Sequence, residues 1–176
     1  MIKTDNYTQN IKRIIEGGIV ETRKRQIQIE NNKLFTYWNV GKEIVKAYNE
    51  DKIRYGNSYV KELSKELTRF YGKGYNYYNL TRMKKFYSLF PNVASLTQHF
   101  ITWTHITVIL PIKNENKRNY YINLVNENSL SVSQLKQQIK NNAYERLDES
   151  IKENITLEEK TSTFDLIKDP LFVRYR

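Results

Sequence analysis

Residues 52–90 read KIRYGNSYVKELSKELTRFYGKGYNYYNLTRMKKFYSLF. Two amphipathic runs flank a turn marked by glycines. In the first run Asn57 or Ser58 stands where a helix cap is wanted, and Val60, Leu63, Leu67 and Phe70 recur at helical spacing. Gly72 and Gly74 bracket the turn, since a residue without a Cβ closes a helix C-terminus at little steric cost. The second run predicts a helix over residues 76–89, with Leu80, Met83, Tyr87 and Phe90 as its buried stripe and Pro91 as its stop. Apolar residues here follow a period near 3.6 rather than 2, so the stretch decides for helix, turn, helix.

The flanks read the same way. Asp5 is placed to cap a first helix as far as Glu16, with Gly17 and Gly18 expected to break or bend it. Over residues 19–50, Ile27, Leu34, Trp38, Val45 and Tyr48 recur at helical spacing with Phe35 and Ile44 beside them, which predicts one long amphipathic helix. Its opposite face carries Arg23, Lys24, Arg25, Lys33 and Lys42. Residues 93–112 read as a loop or short helix, then a helix from about Thr104, with Pro111 closing the patch. Residues 114–126 form another helix, with Tyr120, Tyr121 and Leu124 inward. Ser131 caps a further one through Leu135, Ile139 and Tyr144 to about Leu147. The expected fold is all-α, a multi-helix bundle with a helix-turn-helix-like pair and one long helix. It occupies residues 1–147. Residues 148–176 turn acidic, then polar over 156–163, then apolar again from Leu166, and read as a linker and the stub of a second domain.

Composition sets the function classes. The chain has no cysteine, which removes disulfides and thiolate metal sites. Residues 1–10 lack the apolar core of a signal peptide, and no run approaches the ~18 apolar residues of a membrane helix. A soluble, cytoplasmic protein without a membrane partner is expected. Charge is the sharper clue. Between residues 52 and 90 lie Lys52, Arg54, Lys61, Lys65, Arg69, Lys73, Arg82, Lys84 and Lys85 against only Glu62 and Glu66. About +7 of the formal +10 is therefore held in that stretch, the footprint of a nucleic-acid binder.

A helical projection of residues 77–89 puts Tyr77, Tyr78, Thr81, Arg82 and Lys85 opposite the apolar stripe. Two aromatic platforms, a hydroxyl and two cations suit a DNA groove, because arginine forks onto guanine or phosphate and lysine supplies a point charge. Lys73, Lys84, Lys61, Lys65 and Arg69 are the expected phosphate contacts, and duplex DNA is the expected partner. Two other readings stand beside it. The stripe with Trp38 and Phe35 pairs with a twin chain or docks a protein, or Tyr77 and Tyr78 stack unpaired RNA bases.

Catalytic patterns fail. His99 and His105 do not share a helix face and form no HExxH pattern. Glu158 and Lys160 give only an E-x-K fragment, with no strand around it. No Walker loop, nucleophile elbow or dinucleotide glycine pattern occurs. No catalytic residue, metal ligand or cofactor is expected.

Several short pieces, in order, carry a family resemblance. They are Tyr37-Trp38-Asn39-Val40-Gly41-Lys42-Glu43-Ile44, Tyr55-Gly56, Leu63-Ser64-Lys65-Glu66-Leu67, Asn79-Leu80 and Met83-Lys84-Lys85-Phe86-Tyr87. Trp103-Thr104-His105, Tyr120-Tyr121, Leu130-Ser131-Val132-Ser133-Gln134-Leu135 and Tyr144-Glu145-Arg146-Leu147 follow. From about residue 19 to 147 the chain resembles the N-terminal domain of the YhcG-type, or DUF1016, proteins. It departs at Leu130, where members often carry an aromatic, and at Tyr75, usually Phe. The resemblance implies a helical DNA-binding domain normally followed by a PD-(D/E)XK nuclease domain. Lys168-Asp169-Pro170-Leu171-Phe172-Val173 looks like the entry to that second domain, so the expectation is a non-catalytic chain that works with a separate nuclease domain or subunit. Trp103 is expected to fill core and His105 to bond a nearby carbonyl.

Overall fold

The computed structural model describes residues 4–50, 56–97 and 100–157. Helix α1, Thr4–Glu50, is unbroken over 47 residues, about 70 Å at the α-helical rise. The break expected at Gly17 and Gly18 does not occur. Two glycines cost a helix roughly 1 kcal/mol each, and no capping residue or proline nearby offers the chain another path. Asp5, expected as a cap, falls inside the first turn.

The bundle assembles on the second half of α1. Helix α2, Gly56–Tyr71, leads through Gly72 and a 3₁₀ turn, Lys73–Tyr75, to α3, Tyr77–Leu89. Short helix α4, Ala94–Thr97, precedes α5, Trp103–Ile109, and then come α6, Glu115–Asn128, and α7, Val132–Lys140. A second 3₁₀ turn, Tyr144–Arg146, and a final single turn, α8, Glu149–Lys152, complete the order. Among the described residues every regular element is helical, as the periodicity required.

Local chemistry fixes the boundaries. Asn76, Asn114 and Ser131 cap α3, α6 and α7 by accepting the backbone N–H three residues on. At Ser131 the Gln134 side chain returns the bond, closing a capping box. Helix α7 stops at Lys140, short of the expected Leu147. Asn142 takes a left-handed φ of 52°, while Ala143 N–H reaches Gln138 O at 3.1 Å and Asn142 N–H reaches Ile139 O at 3.1 Å. That pair of bonds satisfies the last carbonyls and ends the helix.

The core lies between α1, α3, α5, α6 and α7. Leu34, Leu80, Met83, Phe86, Ile106, Tyr121 and Leu135 are fully buried in it. Trp38, at the rim, donates its indole N–H to Phe90 O at 2.7 Å and meets the Tyr87 ring edge-on at 4.9 Å. Phe70 departs from the expected stripe: it is 67% exposed.

Trp103 and His105 take the structural roles expected of them. Trp103 is buried with its ring 4.8 Å from Tyr37 and 5.6 Å from Phe86. His105 Nε2 donates to Leu130 O at 3.0 Å, so Nδ1 accepts from the Thr102 hydroxyl at 2.8 Å. Burial holds the imidazole below its ordinary pKa, which suits that neutral tautomer. His99 lies outside the described residues.

Packing continues past the boundary expected at Leu147. Asn116 donates to Lys152 O at 2.8 Å, Asn119 to Ile155 O at 3.3 Å and Asn123 to Thr156 O at 2.8 Å. These three asparagines share one face of α6, and they lay residues 152–156 along it so that Ile155 and Leu157 reach the core. The expected domain entry at residues 168–173, with Glu158 and Lys160, lies outside the described residues.

Candidate nucleic-acid interface

Helix α3 is pressed against α1 by Leu80, Met83 and Phe86. Its position is held closely at one point. A Cβ built at Gly41 would overlap the Met83 carbonyl and come within 3.1 Å of Tyr87 Cβ. The outer face of α3 is thereby fixed relative to the long helix.

That face holds most of the expected groove residues. Tyr78 is 73% exposed, and Thr81, Arg82 and Lys85 are exposed beside it. The Thr81 hydroxyl is committed to Tyr77 O at 2.9 Å. Arg82 Nη1 donates to Asn79 Oδ1 at 3.3 Å, and Asn79 Nδ2 donates to Gly74 O at 3.1 Å. Asn79 therefore ties the turn before α3 to the guanidinium on its face. Tyr77 differs from its partners: it is half-buried, packed on the core edge with its ring 5.7 Å from Tyr78. A single platform, Tyr78, stands clear where two were expected.

The phosphate candidates divide similarly. Lys73 in the turn and Lys61 on α2 are exposed. Arg69 is exposed and lies 5.6 Å over the Phe70 ring. Lys65 pairs with Glu62 at 2.9 Å, an exposed contact of little energetic weight that a phosphate can displace. Lys84 is half-buried over the Tyr48 ring at 3.6 Å. Burial keeps the Tyr48 phenol above its ordinary pKa, so a neutral ring faces that ammonium. Lys52 and Arg54 lie outside the described residues.

Two features escaped the sequence reading. Phe70 and Tyr71, 67% and 70% exposed, put two more rings on the α2 side of the turn. Their signal was position: they are the last two residues of α2, immediately before Gly72, whose φ of 86° turns the chain away. The second is how far the lack of negative charge, already evident over residues 52–90, extends beyond that stretch. No aspartate or glutamate occurs between Glu66 and Glu115. Among the described residues Arg69, Lys73, Arg82, Lys84 and Lys85 therefore have no carboxylate partner.

The turn itself is pinned. Tyr75 meets Tyr71 at 5.9 Å and Tyr37 at 6.2 Å, both edge-on. The five residues 72–76 between α2 and α3 make a wider connection than the three- or four-residue turn of a compact helix-turn-helix. Among the described residues no three His, Asp or Glu side chains converge as a metal site would require, and no helix is long and apolar enough to cross a membrane.

A family model, the DUF1016 N-terminal domain, matches residues 11–146. Comparison with curated proteins and with solved structures finds no match. The matched span runs through all of the packed helices from α1 to the turn at Tyr144–Arg146 and covers well over half of the sequence, so the chain belongs to the DUF1016 N-terminal domain family.

Proposed function

We propose that this chain binds duplex DNA through the outer face of α3, with α2 and the intervening turn holding phosphates. The observation that carries the reading is the set of exposed cations around Tyr78. Arg69, Lys73, Arg82 and Lys85 stand on a rigidly seated helix pair without a described carboxylate to neutralise them. Such a surface lowers its own repulsion by taking up a polyanion and releasing counterions. Arg82, oriented by Asn79, and Lys85 face the groove. Lys73, Arg69, Lys61 and Lys65 grip the backbone.

The chain is a targeting module in this reading, and strand cleavage, if coupled to it, comes from a nuclease domain or subunit outside the described residues. Fluorescence anisotropy with duplex DNA across a salt series tests it. The expected result is a micromolar or tighter Kd with a steep negative log–log salt slope, about one phosphate contact per unit. Absence of binding at ~50 mM salt, where electrostatic affinity is greatest, overturns it.

The exposed rings favour one second reading. Phe70, Tyr71 and Tyr78 offer faces on which unpaired bases stack, as single-stranded DNA or RNA binders use. Competition of duplex DNA against single-stranded DNA and RNA separates the two.

A further inference from the structure

We propose that the first half of α1 pairs antiparallel with the same segment of a second copy of this chain, about a two-fold axis at Gly18. The helix runs well beyond the bundle. Residues 6–18 are all exposed, while Arg23 lies over the Phe100 ring at 5.1 Å. Yet this exposed arm is not polar throughout. Tyr7, Ile11 and Ile14 are 67%, 57% and 74% exposed, and Ile15 is 55% exposed beside them.

The arm's apolar residues lie on the side of α1 opposite its core face. Ile27 and Ile29 share a turn, and they are 5% and 57% exposed. At about 100° per residue, Tyr7, Ile11, Ile14, Gly18 and Ile29 fall within roughly 60° of one another, while Leu34 and Gly41 fall on the far side. The core of this chain therefore cannot cover the stripe.

Its spacing is what points to a second copy. From Tyr7 to Gly18 the steps are four, three and four through Ile11 and Ile14. From Gly18 to Ile29 they are again four, three and four, through Thr22 and Arg25. The pattern is a palindrome centred on Gly18. Reversing one copy about that residue sets Ile14 against Thr22, Ile11 against the aliphatic stem of Arg25 and Tyr7 against Ile29. The eleven-residue repeat also keeps the seam on one side of a nearly straight helix. Lys12, Arg13, Arg23 and Lys24 all point about 100° or more away from it, so like charges do not meet.

Gly18 supplies the crossing. A Cβ there meets nothing within 4 Å among the described residues, so no contact inside the chain requires a glycine. Gly41 shows how this protein uses one, as a point where α1 and α3 approach too closely for a Cβ. Tyr7, Ile11, Ile14 and Ile29 offer about 450 Å² on each copy, taking roughly 100 Å² for an isoleucine. Covering both removes about 900 Å² of apolar surface, in the range of a weak, reversible dimer. The proposal is independent of the nucleic-acid reading, since the seam and α3 do not share residues.

Sedimentation velocity and cross-linking test it. The wild-type mass is expected to rise towards twice the monomer between roughly 5 and 200 µM. Ile14→Asp is expected to stay monomeric with an unchanged circular dichroism spectrum, because Ile14 is 74% exposed. The chain has no cysteine, so single-cysteine variants report register directly. Under mild oxidation Gly18→Cys should cross-link to itself, Ile11→Cys only when mixed with Arg25→Cys, and Glu16→Cys, on the far side, not at all. A monomer at every concentration overturns the proposal. So does efficient self-cross-linking of Ile11→Cys, which signals a parallel pair, or an unchanged dimer in Ile14→Asp, which places the interface elsewhere.

Discussion

Gly41 of α1 and Met83 of α3 touch backbone to backbone. A methyl group at Gly41 would overlap the Met83 carbonyl oxygen and carbon and crowd Tyr87 Cβ at 3.1 Å. The Met83 carbonyl is main chain, so it cannot swing aside as a lysine tip would. Gly41→Ala must part the two helices, and with them the seat of Leu80, Met83 and Phe86. The expected cost is about 3 kcal/mol or more, a drop of roughly 6–12 °C in Tm. Gly17→Ala is the control. It has open space around it, lies off the seam proposed for self-association, and should instead gain up to about 1 kcal/mol of helix propensity. Thermal denaturation followed by circular dichroism reads both.

The contrast between these glycines explains how far the sequence could be read. Helix periods, the cap at Ser131, and the stripe Leu80, Met83 are short-range patterns that the chain carries in plain view. What a glycine does depends on what approaches it. Gly17 and Gly18 look like a break and are not one, whereas Gly41, inside the same helix, sits in close backbone contact with α3. The candidate face was legible in its charge and in Tyr78, Arg82 and Lys85. The half-burial of Tyr77 and Lys84 was not, because each leans on α1 or the core edge, which no projection of α3 alone can include. Phe70, expected in the stripe of α2, is exposed instead.

His105 makes the fold sensitive to mild acid. Its neutral ring donates to Leu130 O and accepts from Thr102, and burial lowers its pKa. The unfolded chain therefore binds this proton more readily than the folded one. Stability is complete above the unfolded value of about 6.5 and is lost as pH falls through it towards the folded pKa. Tm should fall between pH 7.5 and 5 in the wild type. His105→Gln keeps a donor for Leu130 O but does not titrate. It should cost about 1–2 kcal/mol at neutral pH and show a flatter profile over this range. An equally steep profile in the variant would assign the acid response to other groups.

The asparagines of α6 predict where the domain can be cut. Asn116, Asn119 and Asn123 hold residues 152–156 by their carbonyls, and Ile155 and Leu157 pack on the core beyond them. A chain ending at Leu147 leaves three amide groups and an apolar strip uncovered. It should be less stable than one ending at Leu157 by about 2–3 kcal/mol, or roughly 4–12 °C in Tm. Matching melting curves for the two lengths would return the boundary to Leu147.

The nucleic-acid face is testable residue by residue because its members have different jobs. Arg82 and Lys85 are exposed and carry no described carboxylate partner, so Arg82→Ala with Lys85→Ala should leave stability within about 0.5 kcal/mol of wild type. If both meet phosphates, the double variant should lower the salt slope by about 2 and weaken duplex binding tenfold or more at moderate salt. Lys136→Ala on α7, away from the face, should do neither. Tyr78 distinguishes a groove contact from a stacking platform. Tyr78→Phe keeps the ring and loses the hydroxyl, while Tyr78→Ala loses both. If the ring stacks on bases, the alanine variant loses about 1–3 kcal/mol of single-strand affinity and the phenylalanine variant keeps it. If the hydroxyl bonds the duplex backbone, both variants lose duplex affinity equally. The two patterns are read from one titration series against each nucleic acid, and each outcome assigns a different job to the same exposed ring.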